Sequence, residues 1–365
     1  MSASPSFSDE SDSSSVVYDH EPFATFSSRV QHLAVGLWPN SNASNFGIER
    51  LGGGGFHRVI GLTRRRQPGV VEETRYILRI PRFDSARVDD EVAALYYLGR
   101  TTTIPVPAVI AFDKTGNNAL GLPYMVQTRI AGTDLYSSYP ALDHAQRMRI
   151  ARELGGVFFQ LLETRSSTGG RFVLGENGAV RITPLSTPTN EEESPCEWLL
   201  AQFSVKQAND PTEILWSEFG QMTRDLDAGG WFGGLQYSLA HLDLAPRNIL
   251  VDTTSRNLIT GILDWDSVLL APCFMSCYPP LWIWAWQDNE DEDERTANDD
   301  PGTVQGRELK AEFEVAAGPD YVRLAYGAPY RLARRLVLFA IHGIQSNEDY
   351  KEAKAMLQEW AEVEK

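Results

Sequence analysis

The chain has 365 residues, of which 42% are hydrophobic and 10% aromatic, enough to bury a sizeable core in two domains or one large two-lobed unit. With 33 basic and 49 acidic residues the formal net charge is −16, which argues against nucleic acid or anionic membranes as partners and favours cationic or metal-bridged ligands, although acidity also serves plain solubility. An odd set of cysteines, Cys196, Cys273 and Cys277, with no CxxC, points away from a disulfide framework or zinc knuckle and toward a reducing, cytoplasmic setting.

Residues 1–20 are rich in Ser and Asp, poor in apolar residues, and read as a disordered tail without the apolar run of a secretory signal. A β-rich segment follows. In "TRYILRIPR", Tyr76, Leu78 and Ile80 fall on one strand face and Ile77 and Arg79 on the other. "RVIGLT" precedes it, and the "RRRQPGVVEE" between them reads as a hairpin-like turn with a Pro-Gly breaker. "DDEVAALYYLGR" is a helix whose acidic start suits its positive dipole end. "IPVPAVIAFD" and "PYMVQTRIAG" read as two further strands.

Beyond Gly132 the character becomes helical. "RMRIARELGGVFFQLLET" places Ile150, Leu154, Val157, Phe158, Leu161 and Leu162 on one stripe, the pattern of a core helix. "YRLARRLVLFAIHGI" and "KEAKAMLQEWAEV" are helical as well. The longest uncharged stretch, about Val268 to Trp286, is broken by Pro272, Pro279 and Pro280 and is expected to be buried or pocket-lining, not membrane-spanning. The expected organisation is a tail over 1–20, an N-terminal lobe over 21–128 and a larger helical lobe over 129–365.

The chemistry concentrates in "HLDLAPRNILVD" at 241–252 and "LITGILDWD" at 258–266. "NILVD" and "LITGILDWD" are β runs joined by the turn formers "TTSRN". Asp243 and Asn248 precede the first strand and Asp264 ends the second, so three oxygen donors converge at one end of a hairpin. A hard cation such as Mg²⁺ needs this donor set, with waters and phosphates completing its shell. The stretch also matches the kinase catalytic-loop pattern H-R-D-L-x-x-x-N at every specified position except the Arg, which is Leu242 here. In that pattern the Asp accepts the proton of the attacking hydroxyl and the Asn holds a metal ion.

In these residues the chain resembles the aminoglycoside phosphotransferase and choline kinase family, over roughly residues 45–345, and among its members looks most like the fungal phosphotransferase enzymes. The resemblance implies an α+β, protein-kinase-like bilobal fold with a β-rich N-lobe and a mainly helical C-lobe. It also implies ATP-dependent phosphoryl transfer to a small-molecule hydroxyl of aminoglycoside, choline or amino-alcohol type. Asp243 would be the base, His241 the residue bracing its loop, and Asn248 and Asp264 the Mg²⁺ ligands.

The N-lobe would then hold the nucleotide. Gly53, Gly54, Gly55 and Phe56 belong to "LGGGGFHRVIGL", a glycine run suited to phosphates, but not a clean G-x-G-x-x-G because His57 stands at its last position. Arg79 occupies the strand position where the family usually carries a lysine, and the two are not interchangeable between phosphate oxygens. Glu91 would be its ion-pair partner and Ile77 would pack on adenine. Met125 would lie behind the base, with backbone groups from Gln127 to Arg129 holding it. Substitution at the lysine position leaves a nucleotide-binding pseudokinase as the alternative reading.

No long activation segment or A-P-E follows Asp264, which disfavours a protein substrate. "DWDSVLLAPCFMSCYPPLWIWAWQ" runs instead into aromatic, helix-like sequence. Asp266, Tyr278 and Trp282, with Trp284 and Trp286, are candidates for the acceptor pocket and would suit a cationic small molecule; the tryptophans equally suit core packing. The acidic run at 288–300 reads as a solvated loop or an attractor of cations.

Overall fold

The computed structural model describes residues 21–363 apart from 53–54, 66–72, 84–86, 186–192, 211–212 and 287–292. The tail, the Pro-Gly turn, Gly53, Gly54 and the start of the acidic run therefore lie outside the described residues. By contact density the chain separates into two units: residues 1–96 with 107–130, and residues 97–106 with 131–365.

The first unit opens with helix α1 (Phe23–Leu37), followed by strands β1 (Phe46–Arg50), β2 (His57–Arg64) and β3 (Thr74–Pro81). Helix α2 (Val88–Thr101), which belongs to this unit up to Tyr96, and strands β4 (Val109–Asp113) and β5 (Tyr124–Thr128) complete it. The sheet runs β1-β2-β3-β5-β4, antiparallel throughout. Phe26, Val30, Leu33 and Ala34 of α1 pack with Ile60 and Leu62 of β2 and with Tyr76, Leu78 and Ile80 of β3. Fully burying each of the larger side chains contributes on the order of 1.5–3 kcal/mol. The strand alternation seen in the sequence is thus realised, with the apolar side of β3 against the helix. The helix itself departs from the expected continuous β region. It begins at Pro22 with no side-chain cap and no acid in its first turn, so the usual start signals are missing. The expected strand "IPVPAVIAFD" forms only from Val109, because Pro105 and Pro107 offer no backbone N–H to a ladder.

The second unit carries short strand β6 (Thr133–Asp134) and short helix α3 (Leu135–Ser138), then the long helix α4 (His144–Glu163). Asp143 and Gln146 close a capping box on α4, and its predicted stripe from Ile150 to Leu162 is buried. Strands β7 (Arg165–Ser166), β8 (Arg171–Leu174) and β9 (Val180–Thr183) and helices α5 (Pro195–Asn209) and α6 (Leu215–Ala228) follow. Strands β10 (Tyr237–Ala240), β11 (Ile249–Val251), β12 (Ile259–Ile262) and β13 (Leu269–Pro272) frame the loop of interest. Helices α7 (Val304–Ala317), α8 (Pro319–Tyr326), α9 (Ala328–His342) and α10 (Asn347–Val363) end the chain.

The aromatic stretch after Asp264 is not helical as expected. It forms β13, antiparallel to β10, and then 3₁₀ turns at Cys273–Cys277 and Leu281–Ile283. All four residues of β13 are buried, so the run shows no polar alternation to mark it as a strand. Pro272, Pro279 and Pro280 prevent a continuous helix. Within the described part of the acidic run, Glu294 is not a solvated residue: it is an ion-pair partner of the buried Arg334.

Candidate active site

Strand β10 is buried at all four residues and delivers His241 into the interior of the second unit. His241 Nε2 donates to the Leu263 carbonyl at 2.9 Å, while its Nδ1 accepts from the Asp243 backbone N–H at 3.3 Å. This pattern needs a neutral ring protonated at Nε2, and burial lowers its pKa in the same sense. Trp265 packs on the ring with centroids 4.4 Å apart. The imidazole therefore ties the end of the hairpin to the start of the loop.

Leu242 then turns through a left-handed conformation, φ 59°, in a residue type for which that geometry is strained. The turn presents the Asp243 carboxylate, about two-fifths exposed, to the cavity described below. Asp243 Oδ1 accepts from Arg247 Nη2 at 2.6 Å and Oδ2 accepts from Asn248 Nδ2 at 3.0 Å. Asn248 Nδ2 also donates to the Asp243 carbonyl at 2.8 Å. With its nitrogen so committed, the amide leaves its oxygen to offer to a cation. The Asn248 carbonyl in turn accepts from Leu263 N–H at 2.8 Å, which anchors the residue before Asp264 to the residue that carries the amide. Asp264, at φ 66°, and Leu242 are the two non-glycine residues with positive φ among the described residues. Such outliers gather where function over-determines the backbone. A carboxylate and an amide oxygen held on one rigid hairpin fit a hard cation of the Mg²⁺ class.

In the first unit, the register pairs Ile77 with Gln127 and Arg79 with Met125, so all four share the sheet face opposite α1. Arg79, Met125 and Gln127 are buried and Ile77 is half-buried. Arg79 Nη2 lies 3.4 Å from Glu91 and 3.2 Å from His57 Nδ1, which must accept because a guanidinium only donates. His57, the residue that breaks the glycine pattern, thus partners the arginine that replaces the lysine. Sequence reasoning passed over this pairing; only the strand register, which sets Val59 opposite Arg79, brings the two near. Arg129 pairs with Glu49 of β1 and its backbone N–H donates to the Arg75 carbonyl at 3.0 Å. A Cβ built on Gly55 meets nothing within 4 Å among the described residues, and Phe56 is exposed with its ring 6.3 Å from Phe83.

A cavity of about 410 Å³ lies within the second unit, with Asp243 and Arg247 in its wall. Tyr278, Trp282 and Trp286, three of the acceptor-pocket candidates, line it, and so does Tyr136. Tyr139 stacks on Trp286 at 4.7 Å and meets Trp282 edge-on at 5.8 Å, which fixes both rings. Asp266 and Trp284 are not part of this wall. Asp266 accepts from Ser267 Oγ, and Trp284 is buried against Phe313.

The fold places the chain among known structures. A GDP complex of aminoglycoside 2'-phosphotransferase-IIIa superposes at TM-score 0.53 with 16% identity, covering 93% of this chain and 98% of that one. A thermostable mutant of aminoglycoside phosphotransferase APH(4)-Ia, in a ternary complex with AMP-PNP and hygromycin B, superposes at 0.53 with 15% identity, covering 92% and 97%. At these identities the likeness shows the fold, an α+β protein-kinase-like one with a β-rich N-terminal and a mainly helical C-terminal part. Among curated proteins nothing matches the chain. Residues 62–294, more than half of the chain, match the model of the phosphotransferase enzyme family, and they contain the loop at 241–248 and Asp264. The chain belongs to the phosphotransferase enzyme family.

Proposed function

We propose that the protein transfers the γ-phosphate of ATP to a hydroxyl of a small molecule. The observation that carries this reading is Asp243, held by Arg247 and Asn248 with its carboxylate in the wall of an aromatic cavity. In this reading residues 21–128 bind the nucleotide and 129–365 bind the acceptor and carry out the chemistry.

Asp243 receives the acceptor hydroxyl as a hydrogen-bond donor and takes its proton as the oxygen bonds to phosphorus. His241 braces the loop from below and takes no part in proton transfer, since both ring nitrogens are engaged within the fold. Asn248 and Asp264 are the residues that would hold Mg²⁺, which when bound neutralises the phosphate oxygens. Arg79, aligned by Glu91 and His57, meets the phosphates, while Gly53, Gly54, Gly55 and Phe56 cover them. Ile77, Met125, Gln127 and Arg129 form the adenine side of the sheet. Most of the rate enhancement then comes from positioning and fixed charge.

The mutual arrangement of Arg79, His57 and Glu91 also supports a second reading, a nucleotide-binding pseudokinase with a scaffold role. Here two guanidinium contacts are already spent inside the protein. Thermal melts with ATP, with and without Mg²⁺, followed by product detection over a hydroxyl-metabolite library, test both. The phosphotransferase reading expects a Mg²⁺-dependent stabilisation and a phosphorylated product. Stabilisation without product selects the pseudokinase, and no metal-dependent stabilisation overturns both. Among the described residues no helix is long and apolar enough to cross a membrane; the proposed setting is the cytoplasm.

A further inference from the structure

The hairpin between Asn248 and Asp264 needs support beyond its own ladder. Strands β11 and β12 are three and four residues long, and their pairing shifts register between Leu250 and Val251. A two-stranded ribbon this short is marginal on its own. Among the described residues β12 ends the sheet order β12-β11-β6, so one of its edges has no strand beside it.

Helix α4 takes up that edge. Glu153 accepts from the Leu258 N–H through Oε1 at 3.0 Å and from the Ile259 N–H through Oε2 at 2.8 Å. Arg149, one helical turn earlier, donates from Nη2 to the Arg256 carbonyl at 2.6 Å and lies 3.8 Å from Glu153. Two charged side chains at i, i+4 therefore hold three backbone groups at the turn end of the hairpin, through charge-assisted bonds. A carboxylate serving only solubility would point to water, whereas the Glu153 side chain is 22% exposed and each of its oxygens meets an amide. At the other end of β12, the Ile262 N–H donates to the Pro105 carbonyl at 2.8 Å. The strand is thus fixed at both ends, and Asp264 follows two residues beyond the second fixed point.

The same helix reaches the acceptor cavity. Phe158 and Leu161 of α4 line it, about 8 and 12 Å along the helix axis from Glu153 at the usual rise per residue. The buried stripe from Ile150 to Leu162 fixes α4 in the core, so it acts as a bar between the cavity wall and the hairpin.

We propose that Glu153 is a positioning residue for the metal: by clamping β12 to α4 it holds Asn248 and Asp264 in place relative to the cavity wall. This deepens the phosphotransferase reading and rests on it for the metal. Phosphoryl transfer loses rate steeply with displacements of about 1 Å, so a support remote from the phosphates still bears on the reaction.

Mn²⁺, a paramagnetic substitute for Mg²⁺, titrated by EPR into the full-length protein with AMP-PNP tests this, beside hydrogen exchange over residues 249–264. Glu153→Ala is expected to raise the Mn²⁺ midpoint roughly three- to tenfold, less than the loss of about tenfold to a hundredfold for groups bonded directly to a metal ligand, and to speed exchange in the hairpin. Glu153→Gln keeps one acceptor oxygen and is expected to fall between. Arg152→Gln, on the same helix, loses the ion pair with Glu312 of α7 and is expected to leave both readouts unchanged. An unshifted midpoint in Glu153→Ala, or an equal shift in Arg152→Gln, overturns the inference and leaves the phosphotransferase reading standing. If Glu153→Ala does not fold, an unshifted midpoint in Glu153→Gln overturns it. Failure of the phosphotransferase reading shows up differently: the unmodified protein with AMP-PNP takes up no Mn²⁺, and the inference falls with it.

Discussion

At the scale of single residues, Asp243 and Arg79 decide the proposed chemistry. Asp243→Asn keeps the shape and the bond from Asn248 but removes the proton acceptor. Turnover is expected to fall by about two to four orders of magnitude with the melting temperature little changed, measured as product formation beside a thermal melt. The ion pair in the first unit behaves differently, because Arg79 and Glu91 are only 10% and 5% exposed. Glu91→Gln removes a carboxylate from beside a buried guanidinium and is expected to cost about 3 kcal/mol in chemical denaturation. A cost near zero would mean that Arg79 is solvated or otherwise neutralised.

The loop at 241–248 was legible in the sequence because its donors are contiguous and its spacing is tied to chemistry, and Asp264 was legible because a hairpin sets its distance. The pairings of Arg79 with His57 and of Asp243 with Arg247 were not. His57 read as a defect in a glycine pattern, and its partner comes 22 positions later on the next strand. Arg247 falls at an unspecified position of the catalytic-loop pattern, whereas the 3₁₀ turn at Pro246–Asn248 brings it back onto Asp243.

At the scale of elements, α4 and its contact with α7 make the sharpest case. Gly155 and Gly156 are neighbours in the same helix, and helix propensity alone predicts that alanine stabilises at either. A Cβ on Gly155 would lie 2.6 Å from the Phe313 carbonyl oxygen and 2.7 Å from the Ala316 Cβ, whereas a Cβ on Gly156 meets nothing within 4 Å. Gly155→Ala is therefore expected to destabilise by about 1–3 kcal/mol and Gly156→Ala to stabilise by up to about 1 kcal/mol, read from denaturation midpoints. Equal signs for the two would contradict the α4–α7 packing. The helix itself was legible because its stripe is long and Asp143 marks its start. By contrast α1, equally periodic at Phe26, Val30, Leu33 and Ala34, lacked a capping side chain. Strand β13 was lost for the opposite reason, being buried on both faces and free of any alternation.

At the scale of the whole molecule, pH provides a handle on burial. His241 and His342 both have pKa values lowered first of all by burial, with Arg171 and Lys206 adding to the effect at His342. Folded, they stay neutral; unfolded, they titrate near their ordinary value of about 6.5, so the unfolded chain binds more protons below that pH. Their contribution to stability is complete above about pH 6.5 and is lost on acidification below it. The melting temperature is expected to fall between pH 7.5 and 5.5, and less steeply in His342→Gln; a flat profile over that range would contradict the buried neutral rings.

Phosphoryl transfer in this cavity, as proposed, depends on Asp243. ³¹P NMR of the protein with ATP, Mg²⁺ and a pool of small-molecule alcohols, amino alcohols included, tests it most directly, run beside Asp243→Asn. A phosphomonoester resonance is expected to grow in step with ADP and to be lost in the variant. ADP without a phosphomonoester, or the same phosphomonoester formed as fast by Asp243→Asn, would contradict it.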